Sequence, residues 1–269
     1  MNYLTMNNGI KIPMVGLGTN TLGKENHDFN APLNDDTSEI ENAISSGYAL
    51  LDTAIMYRNE SIIGLAVKRS KLDRAKVLLT SKIPGKPEYT ATDKLVEETI
   101  LSSLKALDTD YIDLYLIHHP WDNLEDMAQV WHVLEQYVEK GVLKTIGVSN
   151  FKVDQLTYLL QHSKIKPAVN QIESHPGLWQ DELIEFCQKN GVIVEAWSPI
   201  KRTSDECKAK LTEIGAQYNK SWAQVILRYQ IERNVVVIPK STDPIRQKQN
   251  LDLFDFKLSQ ADKAMIKTL

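Results

Sequence analysis

The sequence is poor in the features that mark several protein classes. It has two cysteines, Cys187 and Cys207, with no CxxC pair and no histidine at zinc-ligand spacing. Neither a disulfide framework nor a structural metal is expected, and no metal ligand is assigned. Twelve glycines and ten prolines in 269 residues are too few for a fibrous or low-complexity chain. No run of eighteen apolar residues occurs, and residues 1–13 lack a charged start followed by an apolar stretch. The chain is therefore expected to be neither exported nor anchored in a membrane, and to be cytoplasmic. Positive charge is also not in excess: 31 Lys and Arg stand against 35 Asp and Glu, a net charge of −4. Without a basic block, nucleic acid is not an expected partner.

What is present is ordinary globular material, 42% apolar and 25% charged. The length suits a single domain over 1–269, because α/β barrels run to about 250 residues as one unit. Near the start, Asn7-Asn8-Gly9 lies between two short extended runs, an Asn-Gly signal for a β-hairpin whose two turn positions tolerate positive φ. Eight apolar runs then read as strands, at 14–18, 49–54, 77–82, 111–118, 143–149, 167–171, 192–197 and 235–240. Between them lie segments of helical period, such as Met127, Val130, Trp131, Leu134 and Val138, or Trp222, Val225, Ile226 and Tyr229. Eight strand–helix units predict an α/β fold, a closed (β/α)8 TIM barrel, with an open doubly wound sheet as the alternative. Against the open sheet, Gly16-Leu17-Gly18-Thr19-Asn20 has no third glycine and opens no helix. Ser259 is placed to cap a last helix, with Asp262 in its first turn.

In such a barrel, chemistry gathers at the C-terminal ends of the strands. Here those ends carry Asp52, with Tyr57 in the loop beyond, then Lys82, then His118-His119. Taken singly, each has an ordinary structural explanation: a turn former, half-buried packing, a solvated strand end, a satisfied core histidine. Together they offer more. A buried Lys82 needs the counter-charge of Asp52, and a phenol becomes a useful proton donor near neutrality when a cation and a hydrogen bond stabilise its phenolate. The adjacent histidines also suggest a metal, with Glu173 and His175 as further ligands, but neighbours on an extended strand point to opposite faces. The later strand ends supply Ser149, Asn150, Gln171, Trp197, Ser198, Lys240 and Ser241. Amides suit a carboxamide, an indole suits stacking, and a Lys-Ser pair before a helix suits phosphate. The ordinary reading of Ser149-Asn150 is a helix N-cap.

Five phrases, in this order, carry a family resemblance: Asp52-Thr53-Ala54-Ile55-Met56-Tyr57-Arg58-Asn59-Glu60, Leu116-Ile117-His118-His119-Pro120, Gly147-Val148-Ser149-Asn150-Phe151, Asn170-Gln171-Ile172-Glu173 and Ile238-Pro239-Lys240-Ser241. The chain resembles the aldo-keto reductases over nearly its whole length, and among them the bacterial type with a short C-terminus. The resemblance implies reduction of an aldehyde or ketone by NADPH, with Tyr57 as general acid, Lys82 lowering its pKa, Asp52 holding Lys82, and His118 orienting the carbonyl. It places Gly18, Thr19, Asn20, Asp52, Ser149, Asn150, Gln171, Trp197, Ser198 and Ile200 around the nicotinamide and pyrophosphate. Lys240, Ser241, Thr242 and Arg246 fall at the 2′-phosphate, and Gln249 and Asn250 at adenine. Asn20, Tyr57, His118, His119 and Trp121 would line the substrate pocket, Asn20 and His119 standing where the family commonly has aromatics. A small-molecule carbonyl partner and a monomer are expected. Two other functions compete: an NADP(H)-binding regulatory module with little turnover, as in the potassium-channel beta subunits, and a Schiff-base lyase using Lys82.

Overall fold

The computed structural model describes residues 2–269. Strands β1 (Tyr3–Thr5) and β2 (Lys11–Pro13) form the antiparallel hairpin, in register Leu4 opposite Ile12. Its turn differs in detail from the expected two-residue form. Gly9 donates its N–H to Met6 O and alone in the turn has positive φ, +85°. This is a three-residue loop with glycine at the left-handed position. Asn8 Nδ2 reaches Thr145 Oγ1 at 2.9 Å and Asn7 Nδ2 reaches Pro167 O at 3.0 Å. These bonds fasten the hairpin at the N-terminal ends of the barrel strands.

The barrel strands are β3 (Leu17–Gly18), β4 (Leu50–Asp52), β5 (Leu78–Ile83), β6 (Leu114–Ile117), β7 (Ile146–Ser149), β8 (Val169–Glu173), β9 (Ile193–Trp197) and β10 (Val235–Val237). Each pairs in parallel with the next in sequence. A parallel bridge between Val15 and Val237 closes the ring, with Gly16 N–H donating to Val237 O at 2.8 Å. The fold is the expected (β/α)8 barrel rather than an open sheet.

Helices α1 (Ser38–Ser46), α2 (Glu60–Arg69), α3 (Pro87–Thr90), α4 (Asp93–Leu107), α5 (Leu124–Glu139), α6 (Val153–His162), α7 (Asp181–Lys189), α8 (Asp205–Ala216), α9 (Trp222–Glu232), α10 (Pro244–Leu251) and α11 (Gln260–Lys267) fill the connections. Most of the periodic residues do what their spacing predicts: Met127, Val130, Trp131 and Leu134 of α5 are buried, as are Val225, Ile226 and Tyr229 of α9, while Val138 and Trp222 are half-buried. Ser259 Oγ accepts from Asp262 N–H and caps α11. Among the described residues, no helix is long and apolar enough to cross a membrane.

Alternation along each strand separates two cores. Leu51, Leu79, Tyr115 and Val148 face the helices, while Leu50, Leu78, Leu114, Leu116, Val169 and Val236 pack inside the ring with Met6 and Ile12 of the hairpin. Gly147 belongs to this inner packing. A β-carbon there would lie 2.7 Å from Val169 O and 2.8 Å from Leu116 Cδ2. Backbone of a central strand cannot yield cheaply, so Gly147→Ala is expected to cost about 1–3 kcal/mol, measured by urea unfolding.

Candidate active site

The alternation that fills the lower ring with aliphatic residues brings polar ones to its upper end. Asp52 follows Leu50 on the inner face of β4, Lys82 follows Leu78 and Thr80 on β5, Ser149 follows Gly147 on β7, and Gln171 follows Val169 on β8. Lys82 is fully buried. Its Nζ donates to Asp52 Oδ1 at 2.6 Å and to Thr53 O at 2.8 Å, and lies 3.4 Å from Tyr57 Oη. Burial works to lower the Lys82 pKa, but attraction to Asp52, then to Tyr57, outweighs it and the pKa is raised. A lysine held protonated is no amine nucleophile, which disfavours the Schiff-base alternative.

For Tyr57 the balance runs the other way from the expected one. Burial raises its pKa most, the Lys82 charge and hydrogen bond oppose this, and the net direction is upward. Tyr57 is thus a protonated phenol at neutral pH. The ring of His118 meets that of Tyr57 edge-on, with centroids 5.6 Å apart. Burial, then the Lys82 charge, then His119, push the His118 pKa down to about 2, so its imidazole is neutral. Its Nδ1 is buried without a hydrogen-bond partner.

His119 does not point to the opposite face. Strand β6 ends at Ile117, alternation ends with it, and the two imidazoles stack 4.6 Å apart at 8°. Among the described residues, no group of three or more His, Cys, Asp or Glu could hold a metal. Glu173 and His175 instead form a 3.4 Å contact, and Glu173 also pairs with Arg202 at 3.0 Å.

Ser149 and Asn150 are not a helix cap. Helix α6 begins at Val153, and Gln155 closes its first turn by accepting from Lys152 N–H. Ser149 Oγ donates to Gln171 O at 3.0 Å; Asn150, at φ +63°, donates from Nδ2 to His118 O at 3.1 Å and accepts from Trp197 Nε1 at 2.9 Å. Asn150 thereby ties the His118 loop to a half-buried indole. Gln171 Nε2 donates both to Asp52 Oδ1 at 2.7 Å and to Glu195 Oε1. Both amide hydrogens are spent inward, which leaves Oε1 as the amide atom free for a ligand.

On the other side of the mouth the expected residues divide. Gly18 is needed for a close approach, since a β-carbon there would sit 2.8 Å from Ile238 O. Thr19 is wholly buried and donates its hydroxyl to Asp52 O at 2.7 Å, whereas Asn20 is half-buried. Ser198 has φ +52°, and Ile200 is half-buried. Lys240 Nζ donates to Thr21 Oγ1 at 2.6 Å and has no carboxylate within ion-pair distance among the described residues. Burial, and next the Lys201 charge, lower its pKa. An exposed cation at the rim, with a cationic neighbour and no carboxylate at ion-pair distance, fits an anionic ligand. Ser241 accepts from Asp243 N–H at 3.1 Å, Thr242 is half-buried, and Asp243 caps α10. Arg246 and Gln249 lie on the exposed face of that helix, but Asn250 turns inward with Gln247.

Three residues escaped the sequence reading. Buried Asn59 donates to Thr19 O at 2.7 Å and accepts from Thr53 Oγ1 at 2.8 Å, joining the first strand's loop to the Tyr57 turn. Phe29, in the long loop after β3, meets Tyr57 edge-on with centroids 6.2 Å apart. Its carbonyl accepts from Lys24 Nζ at 2.6 Å and Arg58 Nη2 at 2.7 Å. Glu195 is the third, and its signal was visible: a lone charge in the apolar run 192–197, two residues before Trp197 and hence on the same inner face. His119 is exposed at the rim, and Trp121 packs over Gly85, whose β-carbon would lie 2.7 Å from Trp121 Cε3.

Comparison with known proteins gives the chain a family. Residues 14–269 match the Aldo/keto reductase family. Glyoxal reductase of Bacillus subtilis (strain 168) is 40% identical over 265 residues, 98% of this chain and 91% of the relative. Morphine 6-dehydrogenase of Pseudomonas putida is 37% identical over 280 residues, 99% of this chain and 90% of the relative. Among solved structures, an aldo/keto reductase from Brucella melitensis superposes with a TM-score of 0.88 at 36% identity, covering 98% of both chains. A Bombyx mori aldo-keto reductase in complex with NADP gives 0.88 at 33% identity, covering 98% of this chain and 91% of that one. The chain belongs to the aldo/keto reductase family.

Proposed function

We propose that this chain is an NADPH-dependent carbonyl reductase in which Tyr57 protonates the substrate oxygen. The observation that carries the reading is the Lys82 ammonium held between Asp52, at 2.6 Å, and the Tyr57 hydroxyl, at 3.4 Å, beside a neutral His118. Bound NADPH supplies the hydride. Tyr57, protonated at neutral pH, gives its proton to the oxygen on which negative charge develops, and Lys82 stabilises the phenolate left behind. His118, being neutral, acts by donating a hydrogen bond that orients the carbonyl.

Gln171 would accept from the carboxamide through Oε1, with Ser149 and Asn150 beside it and the Trp197 ring as a stacking face. Ser198 and Ile200 would flank the pyrophosphate, and Lys240, Ser241, Thr242 and Arg246 the 2′-phosphate. Gln249, from the exposed face of α10, and Asn250, turned inward, would meet adenine. The complete Asp52, Tyr57, Lys82 and His118 set disfavours a binding module without turnover. Small carbonyls are the substrates, and the chain is a single-domain, cytoplasmic monomer. Two cysteines outside any disulfide support that compartment.

A fluorescence titration with NADPH and NADH tests the binding half of the reading. The wild type is expected to prefer NADPH. Arg246→Ala is expected to weaken NADPH binding about tenfold or more through one lost charge-assisted contact, with NADH binding unaltered. Equal losses for both cofactors would remove Arg246 from the 2′-phosphate.

A further inference from the structure

Beneath the reacting groups lies a second carboxylate for which the proposed chemistry has no use. Glu195, on β9, is completely buried inside the barrel. One of its oxygens accepts from Gln171 Nε2, the same nitrogen that donates to Asp52 Oδ1 at 2.7 Å, and the other, Oε2, has no hydrogen-bond partner. The cluster therefore holds one cation, Lys82, against two carboxylates. We propose that Glu195 is a positioning residue for the carbonyl reductase chemistry: through the Gln171 amide it sets a second carboxylate against Asp52 beneath the Lys82–Tyr57 pair, and its negative charge, once formed, keeps the Tyr57 phenol protonated at alkaline pH. The proposal rests on the function assigned above.

The groups that face Glu195 are few. Asp52 from β4 repels its charge, Lys82 from β5 attracts it, and Gln171 from β8 hydrogen-bonds it. Tyr57 lies beyond Lys82. The strands β3, β7 and β10 bring no titratable side chain, and Val236 is the β10 residue in register with Glu195. A buried carboxylate with one orphan oxygen and a like charge nearby holds its proton. Burial first, and then Asp52, push the Glu195 pKa up to about 8. As pH rises, Glu195 is the first of the two to lose a proton, and the charge it then carries raises the Tyr57 pKa. The Tyr57 proton is lost later than it would be above a neutral residue.

The same arrangement fixes the Gln171 amide. Two carboxylate oxygens can be satisfied together only by Nε2, so Oε1 is turned away from them. Glu195→Gln keeps the shape and an oxygen for that contact while removing the charge.

Three measurements on wild type and Glu195→Gln test the proposal. In NADPH-dependent reduction of a small aldehyde, the alkaline limb of kcat is expected to move to lower pH in Glu195→Gln. In ligand-free protein, the ultraviolet tyrosinate signal that disappears in Tyr57→Phe is expected to move by a similar amount in the same direction. Thermal unfolding supplies a reading that needs no activity. In wild type the folded chain holds a proton on Glu195 that the unfolded chain, with a carboxyl pKa of about 4.3, has lost, so that contribution to stability falls as pH rises from about 4.3 to about 8. The Tm advantage of Glu195→Gln over wild type should therefore widen across this window and level off above it. An unmoved tyrosinate titration together with a pH-independent Tm difference would overturn the proposal. Wild type without turnover would defeat the reductase reading, and the proposal with it as a statement about catalysis. The tyrosinate and Tm readings would then show separately whether the Glu195 charge acts on Tyr57.

Discussion

Tyr57→Phe is expected to lower kcat for carbonyl reduction by about 10²–10⁴-fold while leaving NADPH affinity in place. The substitution removes one oxygen and keeps the ring that touches His118 and Phe29 at 5.6 and 6.2 Å. What is lost is the proton donor, and positioned acids contribute about that factor. No other group can take over easily: His118 has lost its proton by about pH 2, and the Lys82 ammonium is committed to Asp52 and Thr53 O. The raised Tyr57 pKa adds a pH signature. Reduction by the wild type should hold through neutral pH and fall only on the alkaline side, where the phenol ionises. Steady-state rates across pH, beside a fluorescence titration of each variant with NADPH, check both parts. Wild-type turnover in Tyr57→Phe would remove Tyr57 as the acid.

The second large effect concerns stability as well as rate. Lys82 and Asp52 are both buried and 2.6 Å apart. Removing one partner of a buried pair leaves the other uncompensated, at a cost of about 3–5 kcal/mol. Lys82→Met should therefore unfold on the order of 10 °C lower than wild type, besides losing turnover. Removing both charges should be milder than the sum of the single losses, because the residues share one interaction. The double variant Asp52→Asn/Lys82→Met is expected to recover much of the lost stability and none of the activity. Calorimetry on Lys82→Met, Asp52→Asn and the double variant decides this, and additive losses would show that the pair is not the unit described.

The strand positions were legible because a strand buried on both faces reads as a short apolar run, and eight such runs survive as β3 to β10. Their ends were less so. The run 111–118 shortened to Leu114–Ile117 because the Asp113 carboxylate is held at the strand entrance by Arg74, at 2.7 Å, and by Leu79 N–H, at 2.9 Å. At the other end, period-two logic was carried one residue too far, and His118 and His119 stack instead of diverging. The Asp52, Tyr57, Lys82 and His118 cluster could be anticipated because neighbouring parallel strands bring their ends together. Glu195 could have been anticipated by the same alternation, but a single charge inside an apolar run carries no motif. The direction of the Tyr57 shift was not legible at all, since it depends on how burial weighs against one lysine. Thr19 and Asn250 turned inward for reasons of packing that spacing does not encode.

The central claim is a hydride passed from NADPH to a carbonyl carbon in this barrel mouth, and it can be followed atom by atom. The purified protein would be incubated with NADPH deuterated at both C4 positions and with glyoxal, chosen because the Bacillus subtilis relative is a glyoxal reductase, and the alcohol would be analysed by mass spectrometry. The account predicts an alcohol carrying one deuterium on the carbinol carbon, formed in proportion to the NADPH consumed. Alcohol without deuterium, or NADPH bound tightly and never consumed with any small aldehyde, would contradict it.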